Sequence, residues 1–291
     1  MAGKATIVDE QIEKLIGRGI TFANNEEIEK AKEILLDIGY YRLGFYWYYF
    51  QDNKTHKFNA NIKLDDIVKL YYFDFDLKML LLRYIYRIEV HFRTQLIYLA
   101  SNHYSENNTW YVDSKIVDNQ IFKEFNSIYF NLKTKNNTLI KHHNKHHCDY
   151  APAWKVFEFF TFGQTFKFYT NLKNEELKKT ISAVYGFREV ELLNNYFISL
   201  INIRNICSHN GVLFDFNQSR GIKRIPNLKY RIKTGNTTNL NASIRLLLFI
   251  LSKVSINRAN ELENELQTLF AKARENELVD GIINSKIKFD I

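Results

Sequence analysis

Proline, cysteine and glycine are scarce in this sequence. Its 291 residues include 2 Pro, 2 Cys and 11 Gly. Proline and glycine interrupt helices and build tight turns, so their scarcity favours long helices over a turn-rich β protein. Two cysteines cannot build a disulfide framework, which fits a reducing compartment. The composition therefore predicts an all-α protein that folds without disulfide bonds.

Long apolar runs are absent as well. The most apolar stretch, residues 246–251, is far too short to span a bilayer, and the N-terminus Met-Ala-Gly-Lys-Ala-Thr has no apolar signal core. We therefore expect a cytoplasmic protein with no membrane partner. No Gly/Ser-rich or Pro-rich linker divides the chain. We expect one compact unit made of an N-terminal helical segment, residues 1–60, and a larger helical domain, residues 61–291.

Aromatic residues, by contrast, are abundant, with 23 Phe and 18 Tyr. Eight of the eleven residues from Tyr40 to Phe50 are aromatic. Such a cluster packs between helices more often than it stacks on nucleic-acid bases. Base stacking stays an alternative, and Arg42 within the cluster is a candidate RNA-binding residue.

Positive charge is in moderate excess, with 40 Lys+Arg against 32 Asp+Glu. Two tracts, residues 125–148 and 216–257, contain no acidic residue. Such tracts suit a polyanionic partner such as RNA, although a solvated basic face is an equally common explanation. The candidate RNA-binding residues in the two tracts are Lys141, His142, His146, Arg220, Lys223, Arg224, Lys229, Arg231 and Lys233.

Apolar and basic side chains alternate over residues 221–233, within the second tract. A period of two is typical of extended backbone. The pattern predicts a short basic loop or hairpin that lies outside the helical body.

The first tract contains a histidine cluster. His142 and His146 are four residues apart, as are His143 and His147, which would suit a metal ion if the segment were helical. A zinc site would need a second cluster or a nearby carboxylate, and none stands out. We therefore favour exposed histidines in a basic segment and expect no metal or other cofactor. A metal-dependent hydrolase built on residues 142–148 stays an alternative.

Apolar residues recur every three or four positions from Leu64 to His103. This pattern predicts either one kinked helix or two helices in tandem. Charged residues fall inside it, and Glu89 and Arg93, four apart, are placed to form a buried or half-buried ion pair. Glu89 is also a candidate supporting carboxylate for catalysis, as is Glu158 in a later helical segment.

Residues 195–211 combine a predicted amphipathic helix with an Asn-Gly stop signal. Arg204, Asn205 and His209 then lie in its last turn and a half, with Asn205 and His209 on one face. A guanidinium that holds a phosphate, an amide that orients it and an imidazole that moves protons are the parts of a metal-free ribonuclease. The simpler alternative is a basic pair that complements the dipole at a helix C-terminus.

Three ordered groups of segments resemble the Abi-like family of phage-defence (abortive infection) proteins, particularly its AbiD/AbiF type. They are Ile38 to Trp47; Leu70 to Leu77 with Ile85 to Arg93; and Ala153 to Glu158 with Phe162-Gly163 and Ile203 to His209. Their order and separations agree with the family over roughly residues 5–215. That family is similar to the HEPN superfamily of all-α nucleases. The superfamily motif Arg-Asn-x-x-x-His maps onto Arg204, Asn205 and His209.

The resemblance implies a HEPN-like multi-helix bundle and a metal-independent endoribonuclease that acts as an abortive-infection toxin. RNA would supply the nucleophile, its own 2′-hydroxyl, while His209 transfers protons and Arg204 stabilises the phosphate. One imidazole does not easily serve as both base and acid, which favours a homodimer that brings two His209 to one cleft. Relatives of the AbiF type also imply restraint by a small noncoding RNA. The alternative function is a catalytically silent RNA-binding module of a defence system.

Overall fold

The computed structural model describes residues 5–134, 143, 150–209, 211–233 and 235–289. All regular secondary structure in these residues is helical, and β-pairing is limited to isolated bridges. The prediction of an all-α, multi-helix protein is therefore confirmed. None of the described helices is both long enough and apolar enough to cross a membrane.

The described α-helices are α1 (Val8–Gly17), α2 (Asn25–Asp37), α3 (Tyr40–Trp47), α4 (Leu64–His103), α5 (Phe122–Thr134), α6 (Ala153–Val156), α7 (Phe162–Thr170), α8 (Glu175–Ala183), α9 (Val190–Ser208), α10 (Leu240–Val254), α11 (Ile256–Ala273) and α12 (Glu277–Lys286). Short 3-10 helices cover Tyr48–Phe50, Trp110–Val112, Asn119–Ile121 and Phe157–Phe159. The short elements connect longer helices that pack around α4.

Helix α4 organises the fold. It is one continuous helix of 40 residues, which is about 60 Å at 1.5 Å per residue. Its sequence contains no proline or glycine, so no residue breaks it. Helices α3 and α7 to α12 all pack along it. Of the two arrangements that the sequence left open, the structure therefore has the single helix.

Phe92 of α4 lies in an aromatic cluster that joins three helices. Its ring centroid is 4.8 Å from that of Phe197 on α9, and 5.8 Å and 6.2 Å from those of Phe166 and Phe162 on α7. Aromatic rings attract each other at such separations, beyond the burial of their area. This packing fixes α7 and α9 against the C-terminal half of α4, where the candidate site lies.

The aromatic segment from Tyr40 to Phe50 divides between core and surface. Tyr46, Trp47 and Phe50 are buried, whereas Tyr41 and Phe45 are exposed. The prediction of packing between helices is therefore confirmed for the buried members only.

In the connection between α9 and α10, which we call the α9–α10 loop, the described residues form no β-hairpin. Its described part has no strand, and a single bridge pairs Asn217 with Asn239. The hairpin alternative is therefore wrong and the loop alternative is correct. The physical reason is that α9 side chains take main-chain hydrogen bonds that a second strand would take. Asn195 donates to the carbonyl of Gly221 at 3.1 Å and accepts from the N–H of Lys223 at 2.8 Å.

Candidate active site at the end of helix α9

Helix α9 ends at Ser208, so His209 lies one residue beyond the helix. The backbone N–H of His209 donates to the carbonyls of Asn205 and Ile206, at 3.0 Å and 3.3 Å. The sequence predicts His209 within the last turn, whereas the structure gives it an extended backbone that caps that turn. The side chains of Asn205 and His209 are both exposed. Two motif residues are thus open to solvent at the C-terminal end of α9.

Arg204 is the motif residue that contacts the core. Its side chain is 27% exposed, and its Nε lies 3.9 Å from Oε2 of Glu89 on α4. At that distance the two groups form an ion pair but no direct hydrogen bond. Glu89 is buried, with 7% of its side chain exposed. A buried carboxylate therefore holds a guanidinium that stays partly exposed.

Arg93, one turn further along α4, holds Glu89 in place. Its Nη2 donates to Oε1 of Glu89 and to the carbonyl of Phe160, both at 2.9 Å. The backbone of Phe162 also hydrogen-bonds Glu89. Burial raises the pKa of Glu89 above its usual value, against the opposing effects of Arg93 and Arg204. Glu89 is thus a buried carboxylate shared by two guanidinium groups.

Glu158 contacts Arg93, which in turn contacts Glu89. Its Oε2 is 3.8 Å from Nη1 of Arg93, and 57% of its side chain is exposed. An ion pair with so exposed a partner contributes little to stability. Of the two carboxylates proposed as support, Glu89 therefore contacts Arg204 directly, while Glu158 is linked to it, among the described residues, through Arg93 and Glu89.

The chain beyond His209 is anchored by Asp74, a fully buried residue of α4. Its Oδ1 accepts hydrogen bonds from the backbone N–H groups of Leu213 and Phe214, both at 2.8 Å. Its Oδ2 pairs with Nζ of buried Lys78 at 2.6 Å. Sequence reasoning did not propose Asp74 as a site residue. The signal that could have found it was a pair of opposite charges four residues apart, Asp74 and Lys78, in a mostly apolar and aromatic helical stretch.

Arg42 is linked to Asp74 through the hydroxyl of Tyr46. Its guanidinium donates to the hydroxyl of Tyr46 at 3.2 Å and lies over the rings of Tyr46 and Tyr71. The Tyr46 hydroxyl in turn donates to Asp74 at 2.8 Å. The structure therefore gives this candidate RNA-binding residue an interaction that supports Asp74.

The candidate RNA-binding residues of the α9–α10 loop are all exposed, namely Arg220, Lys223, Arg224, Lys229, Arg231 and Lys233. Two of them are paired: Lys223 with Glu191 at 3.2 Å and Lys229 with Glu263 at 2.6 Å. The other four form no ion pair within the described part of the chain. The loop thus presents unpaired positive charge beside α9.

The candidate residues of the first basic tract, Lys141, His142 and His146, lie outside the described residues. The proposed metal-binding segment, residues 142–148, lies outside them too, apart from His143, which is buried. Among the residues that the structure describes, no group of three His, Cys, Asp or Glu side chains is placed to hold a metal ion.

The end of α9 thus combines groups suited to phosphate chemistry. A guanidinium presents its N–H donors in a planar fork that matches a phosphate, and imidazole is the side chain best suited to proton exchange near neutral pH. Arg204 and His209 supply these two groups, and the buried Glu89 orients the first of them. These are the kinds of group that binding a phosphodiester and moving a proton beside it require.

Comparison with known proteins identifies a family whose span contains these residues. Residues 33–215 match the Abi-like protein family. The match begins in α2 and ends just beyond α9, so it includes Asp74, Glu89, Arg204 and His209. No curated protein and no solved structure matches the chain. Because the match covers more than half of the sequence, the chain belongs to the Abi-like protein family.

Proposed function

We propose that this protein is a metal-independent endoribonuclease of the HEPN type that acts as a toxin in abortive infection. Membership of the Abi-like family supports the role in phage defence. The observation that carries the catalytic proposal is the end of α9, where exposed Asn205 and His209 adjoin an Arg204 held by buried Glu89. A guanidinium fixed in this way is preorganised for a phosphate.

The proposed reaction uses the 2′-hydroxyl of RNA as nucleophile. The 2′-oxygen attacks the adjacent phosphorus, and a new P–O2′ bond forms as the P–O5′ bond breaks. One His209 imidazole removes the 2′-hydroxyl proton, and a second imidazole protonates the departing 5′-oxygen. Arg204 stabilises the charge on the phosphate, and Asn205 orients the phosphate or the imidazole. The products carry a 2′,3′-cyclic phosphate and a 5′-hydroxyl.

The need for two imidazoles makes a homodimer part of this proposal. Exposed apolar side chains on α4 support it: Phe75, Met79 and Tyr86 are 43%, 44% and 61% exposed. Spacings of four and seven place them along one side of the helix. Glu89 and Arg93 follow Tyr86 after three and seven residues, so the stripe leads to the candidate site. We propose this stripe as the surface on which a second copy packs, so that the two His209 side chains meet at one phosphate.

A small noncoding RNA completes the proposal as the partner that restrains the toxin. Arg220, Arg224, Arg231 and Lys233 are exposed and form no ion pair among the described residues. Such a surface binds an RNA backbone through phosphate contacts, whatever its sequence.

The test is cleavage of synthetic RNA by the purified protein, stripped of bound nucleic acid and assayed in EDTA. We expect cleavage with the product ends named above, and no cleavage of the matching DNA, which lacks the nucleophile. His209→Ala should lower the rate by about 10²–10⁴-fold. His103→Ala, which removes an exposed histidine at the C-terminal end of α4, 14 residues beyond Glu89, should cleave like the parent.

Two outcomes would overturn the proposal. If His209→Ala cleaves like the parent, the catalytic assignment is wrong. If the stripped parent binds RNA in a salt-sensitive way without cutting it, the protein is an RNA-binding module of the defence system.

A further inference from the structure

A groove runs beside the outer face of α9, between that helix and the α9–α10 loop. We call it the α9 groove. It encloses about 330 Å³ and is lined by Glu191, Asn194, Asn195, Ile198, Ser199, Asn202, Gln218, Arg220 and Lys223. Most of these side chains are amides or cations. That composition is suited to the base edges and phosphates of a nucleic acid.

Hydrogen bonds hold the floor of the groove in place before any ligand binds. The Gln218 side chain donates to the carbonyl of Ser199 at 3.0 Å and to the hydroxyl of Ser243 at 3.2 Å. Asn202 donates to Oε1 of Gln218 at 3.0 Å. Together with the two bonds of Asn195 to the loop backbone, these contacts fix the loop against α9. The groove is therefore largely preformed, which lowers the entropic cost of binding.

Positive charge lies along the loop side of the groove. Arg220 is exposed and forms no ion pair within the described residues. Lys223 is paired with Glu191, which is 85% exposed on its side chain. An exposed pair of this kind is weak and is readily exchanged for a phosphate contact. Glu191 is therefore the one groove residue that opposes an anionic ligand.

The α9 side of the groove offers contacts for a base. Ile198 is 47% exposed, which leaves an apolar surface for the face of a ring. Oδ1 of Asn194 is screened from solvent and accepts no hydrogen bond from any described residue. Leaving a screened acceptor unpaired costs free energy, so such a group calls for an explanation. Asn194 is only partly buried, so rotation of its amide would turn this oxygen into the groove, where a base edge that donates an N–H group would supply the missing partner.

Residues of the groove and of the Arg-Asn-x-x-x-His motif lie on the same side of α9. Seven residues make close to two turns, so Ile198 lies on the same side of α9 as Asn205, about 10 Å earlier along the axis. Asn202 and His209 are also seven residues apart, and His209 directly follows the last residue of the helix. A strand that reaches the motif in this direction crosses the groove first.

We propose that the α9 groove binds an unpaired nucleotide of the RNA strand, next to the phosphate that is cut. Arg220 and Lys223 contact its phosphates, Asn194 accepts a hydrogen bond from its base, and Ile198 lies against the face of the base. The assignment rests on the proposed nuclease function, because it names a subsite for that substrate.

The test measures binding of labelled single-stranded oligoadenylate to full-length His209→Ala protein, by fluorescence anisotropy at several salt concentrations. Adding Arg220→Ala should weaken binding several-fold and reduce the salt slope by about 0.7 for each phosphate that the protein no longer neutralises. Adding Glu191→Gln should tighten binding, because it removes a competing anion and frees Lys223. This variant should keep the melting temperature of its parent, which separates the gain of affinity from misfolding. Adding Asn194→Leu should weaken binding while the melting temperature stays unchanged or rises.

Arg274→Ala is the matched control. Arg274 is exposed and follows α11 near Asn276, which contacts Asp66 at the other end of α4. The protein that carries both Arg274→Ala and His209→Ala should bind the oligoadenylate as tightly as the His209→Ala protein does. Equal affinity of the Arg220, Glu191 and Asn194 variants would overturn the groove assignment, even if the enzyme cuts RNA. If those variants shift affinity as expected but the enzyme with intact His209 never cuts, the groove stands and the nuclease proposal falls.

Discussion

Oδ1 of Asp74 lies 2.8 Å from the backbone nitrogen of Leu213 and joins the N-terminal half of α4 to the chain just beyond His209. The motif residue is therefore held on one side by the end of α9 and on the other by a buried carboxylate. Asp74 falls within the span that matches the Abi-like family. Its structure-based role is to position the chain that follows the motif.

Asp74→Ala should destabilise the protein by about 3–5 kcal/mol, because it leaves the buried ammonium of Lys78 without its partner. The urea midpoint should fall with little change in the slope m. Adding Lys78→Met removes the stranded charge and should recover part of the loss. No recovery in the double variant would mean that the missing backbone hydrogen bonds, and not the ion pair, dominate.

Glu89→Gln should lower the rate of RNA cleavage by about tenfold to a hundredfold, because it loosens Arg204. Burial raises the pKa of Glu89, so its carboxylate gains a proton at a higher pH than a surface glutamate would. The protonated form no longer forms an ion pair with Arg204. In a plot of kcat against pH, kcat should therefore fall on the acid side. Glu89→Gln cannot titrate there and should lack that part of the acid limb.

Glu158→Gln is the matched control for this prediction. It removes an exposed carboxylate whose one ion pair among the described residues is with Arg93, at 3.8 Å. It should keep the acid limb of the parent and nearly its rate. The Glu89 prediction fails if the two variants have the same pH profile.

His91 should make stability depend on pH. Its Nδ1 lies 2.9 Å from the Tyr185 hydroxyl, and burial, followed by the charge of Arg87, lowers its pKa below the ordinary 6.5. The unfolded chain therefore takes up a proton first as the pH falls below 6.5, and stability is lost until the folded state titrates too. The slope is at most about 1.4 kcal/mol per pH unit for one proton.

Urea unfolding of the parent and of His91→Gln between about pH 7 and pH 5.5 measures this effect. The parent should lose stability more steeply than the variant as the pH falls. Equal slopes would show that His91 titrates alike in the folded and unfolded states.

Helix α4 was predictable because its signals are local. Leu77, Leu81, Ile85 and Ile88 repeat at three and four residues, and no breaker interrupts them. The same spacing places Glu89 beside this stripe. It does not say which helix faces Glu89, so the contact with Arg204 appears only in the structure.

The α9–α10 loop shows the opposite case. Its apolar and basic alternation has the period of a strand, but its main-chain groups bond to α9 side chains such as Asn195 and Tyr196. Those partners are about 28 residues away in the chain for Lys223 and Arg224, and periodicity carries no information at that range. The hairpin alternative fails for this reason, and the loop alternative holds.

Cys207 should resist alkylation in the folded protein. Burial, reinforced by the nearby Asp74 carboxylate, raises the pKa of its thiol to about 12. The thiolate is the reactive form, so little of it exists at neutral pH. Mass spectrometry of the Cys207 peptide after iodoacetamide treatment should show labelling in urea and almost none without it. Prompt labelling of the native protein would contradict the buried position of Cys207.

Mixing parent and His209→Ala subunits tests whether two His209 side chains serve one site. If both are required, an equal mixture after subunit exchange retains about one quarter of the activity of the same total amount of parent, because only parent homodimers cut. Independent sites would retain about one half.

The control mixes the parent with a His209→Ala chain that also carries Tyr86→Glu, which places a charge on the apolar stripe of α4 and should prevent pairing. This mixture should retain about one half, since parent chains then pair only with each other. One half in both mixtures would show that each chain cuts with a single His209.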